Sequence, residues 1–226
     1  MNQIDLQKKS AGEKAATFIE DGMTIGLGSG STIYWVMKKL GEFVSQGMNL
    51  RGIPSSKRTE EWAKEFNITL IDFSNVDFLD VAIDGADEID PQFNLIKGGG
   101  GSLVREKIVD SHAKRLIIVA DESKLVSKLG KFPLPVEVLP FGWETTATRI
   151  SKLGVYPVLR MKEEAVFVSD NGNYILDCPF DSINDVARLH SQLKMLVGVV
   201  ETGLFINMTD TIIIGGENDV RVKSNF

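Results

Sequence analysis

Short apolar runs alternate with helical patterns over the first 120 residues, and this alternation narrows the fold more than any other feature of the chain. Residues 23–27, 50–56, 68–73, 78–83 and 115–120 read as buried strands. Helical patterns lie between them at 33–43, 59–66 and 102–114. An opening amphipathic segment, 3–20, sets Ala11, Ala15, Phe18 and Ile19 on one face. Strands that are apolar on both faces and separated by helices bury themselves in a parallel sheet covered by those helices. The expected architecture is therefore α/β, with a Rossmann-like, mostly parallel sheet.

The chemistry concentrates in residues 84–107, directly after the strand at 78–83. Asp84, Asp87, Glu88 and Asp90 crowd its carboxyl end. Lys97 and four consecutive glycines follow at 98–101, then a helix in which Leu103, Val104 and Ile108 are expected on the buried side. Glu106 stands one turn in from Ser102. In open α/β sheets the carboxyl ends of the strands form the ligand crevice, so this order assembles acids, a cation and a candidate base in one region. A second signal is Gly28-Ser29-Gly30-Ser31-Thr32, between the strand at 23–27 and the helix at 33–43. Backbone N–H groups at a helix start, with hydroxyls beside them, suit a phosphate. The dinucleotide fingerprint is absent because Ser31 stands where glycine is needed. The nucleotide-triphosphate loop lacks its lysine, and the hydrolase elbow has Gly28 where serine belongs. A small phosphate monoester is what remains.

Beyond residue 130 the pattern changes. Strand signals at 136–139, 155–159, 165–168, 174–178 and 198–205 alternate with helical patterns at 143–153 and 183–196. Asp170-Asn171-Gly172-Asn173 is a hairpin turn. This βαββαβ order suggests a small split-βαβ, ferredoxin-like domain. The expected division is 1–130 plus 206–226 for the Rossmann-like domain and 131–205 for the smaller one. A strand at 211–214 returns to the first.

Net charge −6 without a basic run argues against duplex nucleic acid. Cys178 is the only cysteine, so no internal disulfide forms, which suits a reducing cytoplasm. The N-terminal stretch is polar, and no apolar run approaches membrane-spanning length. His112 and His190 neighbour neither a nucleophile nor a second ligand, and both are expected to be structural or on the surface. No metal is expected: zinc lacks its ligand set, and the acidic cluster misses the calcium loop at Ala86 and Ile89.

Several blocks then occur in one order: Gly26-x-Gly28-Ser29-Gly30-Ser31-Thr32, Asp84-Gly85-Ala86-Asp87-Glu88, Lys97-Gly98-Gly99-Gly100-Gly101 with Arg105-Glu106-Lys107, and the long segments at 130–138, 170–173 and 198–205. Together they resemble the type A ribose-5-phosphate isomerases over nearly the whole chain. The resemblance implies interconversion of D-ribose 5-phosphate and D-ribulose 5-phosphate in the pentose phosphate pathway, without a cofactor. It also implies a homo-oligomer, a dimer or a tetramer. Glu106 matches the family's base, and Lys97 the lysine facing the oxygen that becomes negative. Asp84 and Asp87 match the acids that open the furanose ring and orient its hydroxyls. Ser29, Gly30, Ser31, Thr32 and Lys124 match phosphate and substrate contacts, with Gly85 and Ala86 in the acidic turn. Gly98, Gly99 and Gly100 are expected to bring backbone N–H groups to the sugar. Ser29 replaces a common threonine and keeps its hydroxyl. Two other readings compete: a non-catalytic sugar-phosphate sensor, which would need neither Glu106 nor Lys97, and an acyl-CoA transferase using Glu106 as nucleophile.

Overall fold

The computed structural model describes residues 1–225, and the chain divides into two compact units. The first comprises Met1–Ala86, Arg105–Lys124 and the residues from Met208 onward; the second comprises Asp87–Val104 and Leu125–Asn207. From the N-terminus the chain forms α1 (Gln3–Ala16), β1 (Thr24–Leu27), α2 (Ser31–Ser45), β2 (Arg51–Pro54), α3 (Lys57–Glu65), β3 (Thr69–Leu70) and β4 (Val81–Gly85). Two short strands, β5 (Glu88–Ile89) and β6 (Leu95–Ile96), precede α4 (Leu103–Ser111) and β7 (Leu116–Asp121). Then come β8 (Leu134–Val138), α5 (Trp143–Ser151), β9 (Val158–Leu159), β10 (Met161–Lys162), β11 (Ala165–Val166), β12 (Tyr174–Cys178) and α6 (Val186–Lys194). The chain ends with β13 (Val199–Thr202), β14 (Leu204–Phe205), β15 (Thr211–Gly215) and β16 (Val220–Ser224).

The first unit is the doubly wound sheet expected from the alternation. Its strand order is β16-β15-β7-β4-β1-β2-β3. Every neighbouring pair is parallel except β15 with β16. The core beneath it joins Ala11, Ala15 and Ile19 to Ile25, Leu27, Val81, Ile83, Ile117 and Val119. Alanines at the α1 contact let helix and sheet approach closely. Asn2 and Ser56 cap α1 and α3 by accepting from the N–H groups of Asp5 and Thr59, which satisfies donors the helix itself leaves open. The expected strand at 78–83 starts only at Val81, with Phe78 46% exposed. That at 68–73 shrinks to two residues, followed by a 3-10 turn at Phe73–Asn75. On α4, Ile108 is 51% exposed and Val109 takes the buried face instead.

In the second unit the sheet order β13-β8-β12-β9 is antiparallel throughout. Counted within that sheet it runs 4-1-3-2, the pairing that two interlocked βαβ units produce. Val136, Val138, Leu176, Cys178, Ile150 and Leu193 fill its core. The expected closing strand at 198–205 divides: β13 pairs β8, while β14 pairs β6 in a separate sheet with β5.

The units meet at Ala86/Asp87, Val104/Arg105, Lys124/Leu125 and Asn207/Met208, where boundaries at 130/131 and 205/206 were expected. Residues 87–104 were expected in the first domain, but β5 and β6 pair with β14, not with the large sheet. Buried Glu88 secures the arrangement, accepting from the N–H groups of Gly130 at 2.7 Å and Phe132 at 2.6 Å. Two-residue strands carry too little periodicity to be seen in sequence.

Candidate active site

Strand order alone locates a crevice. In the first unit the chain leaves β1 toward β2 and β3, then returns to the other side of β1 as β4. Ligands of open α/β sheets bind at the carboxyl ends of strands where the order reverses. Gly28 and Ser29 follow β1 there, and Asp84 and Gly85 end β4. They touch. The N–H of Ser29 donates to Asp84 Oδ1 at 2.9 Å, and the N–H of Gly85 reaches the same oxygen at 2.7 Å. A β-carbon on residue 28 would fall inside the Asp84 carboxylate, so only glycine permits the approach. Asp84 is completely buried.

The turn after β1 leads into α2, whose N-cap is Gly30. This cap makes no side-chain hydrogen bond, and no acidic residue stands in the first turn. The positive end of α2 is thus not countered by a carboxylate of its own, with Ser31 and Thr32 beside it. Ser55 and Thr59 were not singled out from the sequence. Ser29 Oγ lies 2.8 Å from Ser55 Oγ and 3.3 Å from Thr59 Oγ1, while Thr59 Oγ1 donates to the Gly28 carbonyl at 2.7 Å. Both are fully buried, so these hydroxyls hold the turn after β1 in place. The N-cap spacing of Ser56 and Thr59 was the available clue.

Glu106 occupies the first turn of α4 and is 6% exposed. One turn on, Val109 packs over β1, where a β-carbon on Gly26 would lie 2.6 Å from Val109 Cγ1. A helix preceding a parallel strand runs opposite to it, so the first turn of α4 faces the carboxyl edge of the sheet. Lys124 reaches the same edge, half-buried in the turn Glu122–Lys124 after β7, the strand next to β4.

Ala86 closes the first segment of the first unit, and Asp87, Lys97, Gly98, Gly99 and Gly100 belong to the second. Lys97 is 2% exposed, with its Nζ 5.3 Å from the Phe205 ring centroid and its N–H bonded to the Gly203 carbonyl at 2.9 Å. A cation over an aromatic face in a dry environment is held there electrostatically. The N–H of Gly99 was expected to face the sugar; it donates instead to Asp87 Oδ2 at 2.7 Å. The glycine loop therefore holds an acid with one of its amides. Each histidine makes contacts within the fold: His190 Nδ1 lies 2.8 Å from Thr202 Oγ1, and His112 packs edge-on to Phe73. Among the described residues no group of three or more His, Cys, Asp or Glu is arranged to hold a metal ion.

A doubly wound sheet with a hydroxyl-lined anion turn and a buried glutamate at its carboxyl edge defines an α/β enzyme of phosphorylated small molecules. The chain belongs to the ribose 5-phosphate isomerase A (phosphoriboisomerase A) family, whose model matches residues 51–219. It is 55% identical to ribose-5-phosphate isomerase A 1 of Oceanobacillus iheyensis, over 99% of this chain and 100% of that one. It is 54% identical to ribose-5-phosphate isomerase A of Bacillus mycoides, over 95% and 97% respectively. Among solved structures, a D-ribose-5-phosphate isomerase in complex with phospho-erythronic acid superposes with a TM-score of 0.96 at 39% identity, covering 100% of both chains. The ribose 5-phosphate isomerase of Plasmodium falciparum gives 0.95 at 38% identity, covering 98% of this chain and 99% of its own.

Proposed function

We propose that Glu106, Lys97, Asp84 and Asp87 carry out the family's reaction, the interconversion of D-ribose 5-phosphate and D-ribulose 5-phosphate. The activity is that of an aldose–ketose isomerase, as family membership requires. The observation that carries the residue roles is a glutamate almost fully withdrawn from water in the first turn of α4. Isomerisation moves a proton between C2 and C1 through an enediolate, and one base can remove it and return it. Glu106 takes that role. Lys97, with its Nζ over the Phe205 ring, stabilises the oxygen that becomes negative. Asp84 and Asp87 open the furanose ring and orient the hydroxyls. Ser29, Gly30, Ser31, Thr32 and Lys124 bind the phosphate, whose remote binding energy positions the reacting carbons. Backbone groups of Gly85, Ala86, Gly98, Gly99 and Gly100 complete the substrate contacts, Gly99 through its grip on Asp87. No metal or cofactor has a step in this reading. A relative holds phospho-erythronic acid, and a phosphorylated sugar acid is the kind of ligand that a site for a phosphate and an enediolate oxygen accepts. The sensor reading has no observation in its favour. A cytoplasmic homo-oligomer, dimer or tetramer, in the pentose phosphate pathway completes the proposal.

The test is NMR of ribose 5-phosphate with pure protein in deuterated buffer containing EDTA. Ribulose 5-phosphate is expected, with deuterium at the transferred position. Product free of deuterium would replace the exchanging base by a shielded proton or a hydride shift, and folded protein giving no product would overturn the reading.

A further inference from the structure

Arg160, at the hairpin that follows β9, is absorbed by none of the roles above, yet its guanidinium ends on the glycine loop. Its Nη1 donates to the carbonyls of Gly98 at 2.8 Å and Gly99 at 3.1 Å. The other edge is held by Asp177 of β12: Nε reaches Oδ2 at 2.9 Å and Nη2 reaches Oδ1 at 2.5 Å. A planar fork bound on both carboxylate oxygens has little freedom to rotate, so Asp177 fixes the direction in which Nη1 points. The backbone of Arg160 is fixed as well, its N–H on the Ile175 carbonyl and its carbonyl accepting from Phe167, both at 2.9 Å. Phe167 closes the other end of the loop. At Gly101, where φ is +86°, a β-carbon would run into its ring.

Peptide planarity turns this clamp into chemistry. In a trans peptide the carbonyl and the following N–H point in opposite directions. With the Gly98 carbonyl held by Arg160, the N–H of Gly99 is aimed the other way, and there it meets Asp87 Oδ2 at 2.7 Å. With the Gly99 carbonyl held too, the direction of the Gly100 N–H is fixed in the same manner.

We propose that Arg160 is a positioning residue for the isomerase reaction, setting the Asp87 carboxylate through the Gly98–Gly99 peptide, with Asp177 as its anchor. The proposal rests on the reading that Asp87 touches the sugar. Misplacement of a reacting group by about 1 Å costs on the order of a hundredfold in rate. Arg160→Gln is therefore expected to lower kcat by about tenfold to a hundredfold while KM for ribose 5-phosphate moves less than about threefold. Arg160→Lys keeps the charge but cannot reproduce the fork, and is expected to fall in the same range; it carries the test if the glutamine variant does not fold. The deciding measurement is a double-mutant cycle. In an Asp87→Asn background, Arg160→Gln is expected to cost less than about twofold further, because two steps on one path do not add. Wild-type turnover in both Arg160 variants, or losses that multiply with Asp87→Asn, would overturn the proposal. Full wild-type activity beside a nearly unaffected Asp87→Asn enzyme would instead overturn the role of Asp87 on which it stands.

Discussion

At the scale of single residues, the candidate site depends on charged groups removed from water. Glu106, Lys97 and Asp84 are all among the buried residues, where ionised side chains are rarely found without a specific reason. The proposed base role would supply one for Glu106. Glu106→Gln preserves size and packing while removing the proton acceptor. Turnover is expected to fall by at least about a hundredfold, with phospho-erythronic acid bound nearly as tightly as by the wild type. Stopped assays give the first quantity and calorimetry the second. Equal turnover in mutant and wild type would remove Glu106 from the base role. The place of Glu106 in the first turn of α4 was readable in sequence, because a helix start was expected directly after the glycine run. Ser55 and Thr59 were not, since a buried hydroxyl beneath a turn looks like any serine or threonine until its partner is known.

At the scale of elements, the critical contact lies between the ends of β1 and β4. Gly28 packs on Asp84 so closely that a β-carbon has no room, and the N–H groups of Ser29 and Gly85 share one carboxylate oxygen. Gly28→Ala must displace either the carboxylate or the strand end. Overpacking of this kind costs about 1–3 kcal/mol. For a chain of this length each kcal/mol lowers Tm by roughly 2–4 °C. Thermal unfolding followed by circular dichroism is expected to show that loss, together with a deep loss of activity because Asp84 is the group moved. An unchanged Tm would mean that the two strand ends are not locked together. Sequence reading found both elements and the glycine but not the contact, which is set by pairing β1 with β4 across 55 residues between Ser29 and Asp84.

At the scale of the whole molecule, the chain passes between its two units beside candidate residues: at Ala86 and Asp87, at Val104 and Arg105 next to Glu106, and after Lys124. The proposed roles therefore fall on residues of both units. The second unit also leaves Phe141, Tyr156, Met195 and Val197 strongly exposed. The proposed homo-oligomer would give such side chains a second copy of the chain to pack against. Light scattering of the purified protein is expected to give a dimer or a tetramer. A monomer at working enzyme concentration would remove that part of the proposal.

The sequence by itself determined the order of elements, the parallel sheet and the identity of the chemical groups. Hydrophobic periodicity, glycines and charges act locally, and those local effects are written in consecutive residues. Tertiary structure decided what depends on distant pairing. The two-residue strands β5 and β6 place 87–104 with the second unit because β14 and Glu88 hold them there. The amide of Gly99 points at Asp87 while Arg160, some 60 residues on, grips the carbonyl side. Such directions are fixed by hydrogen bonds between segments far apart in the chain, and no local pattern encodes them.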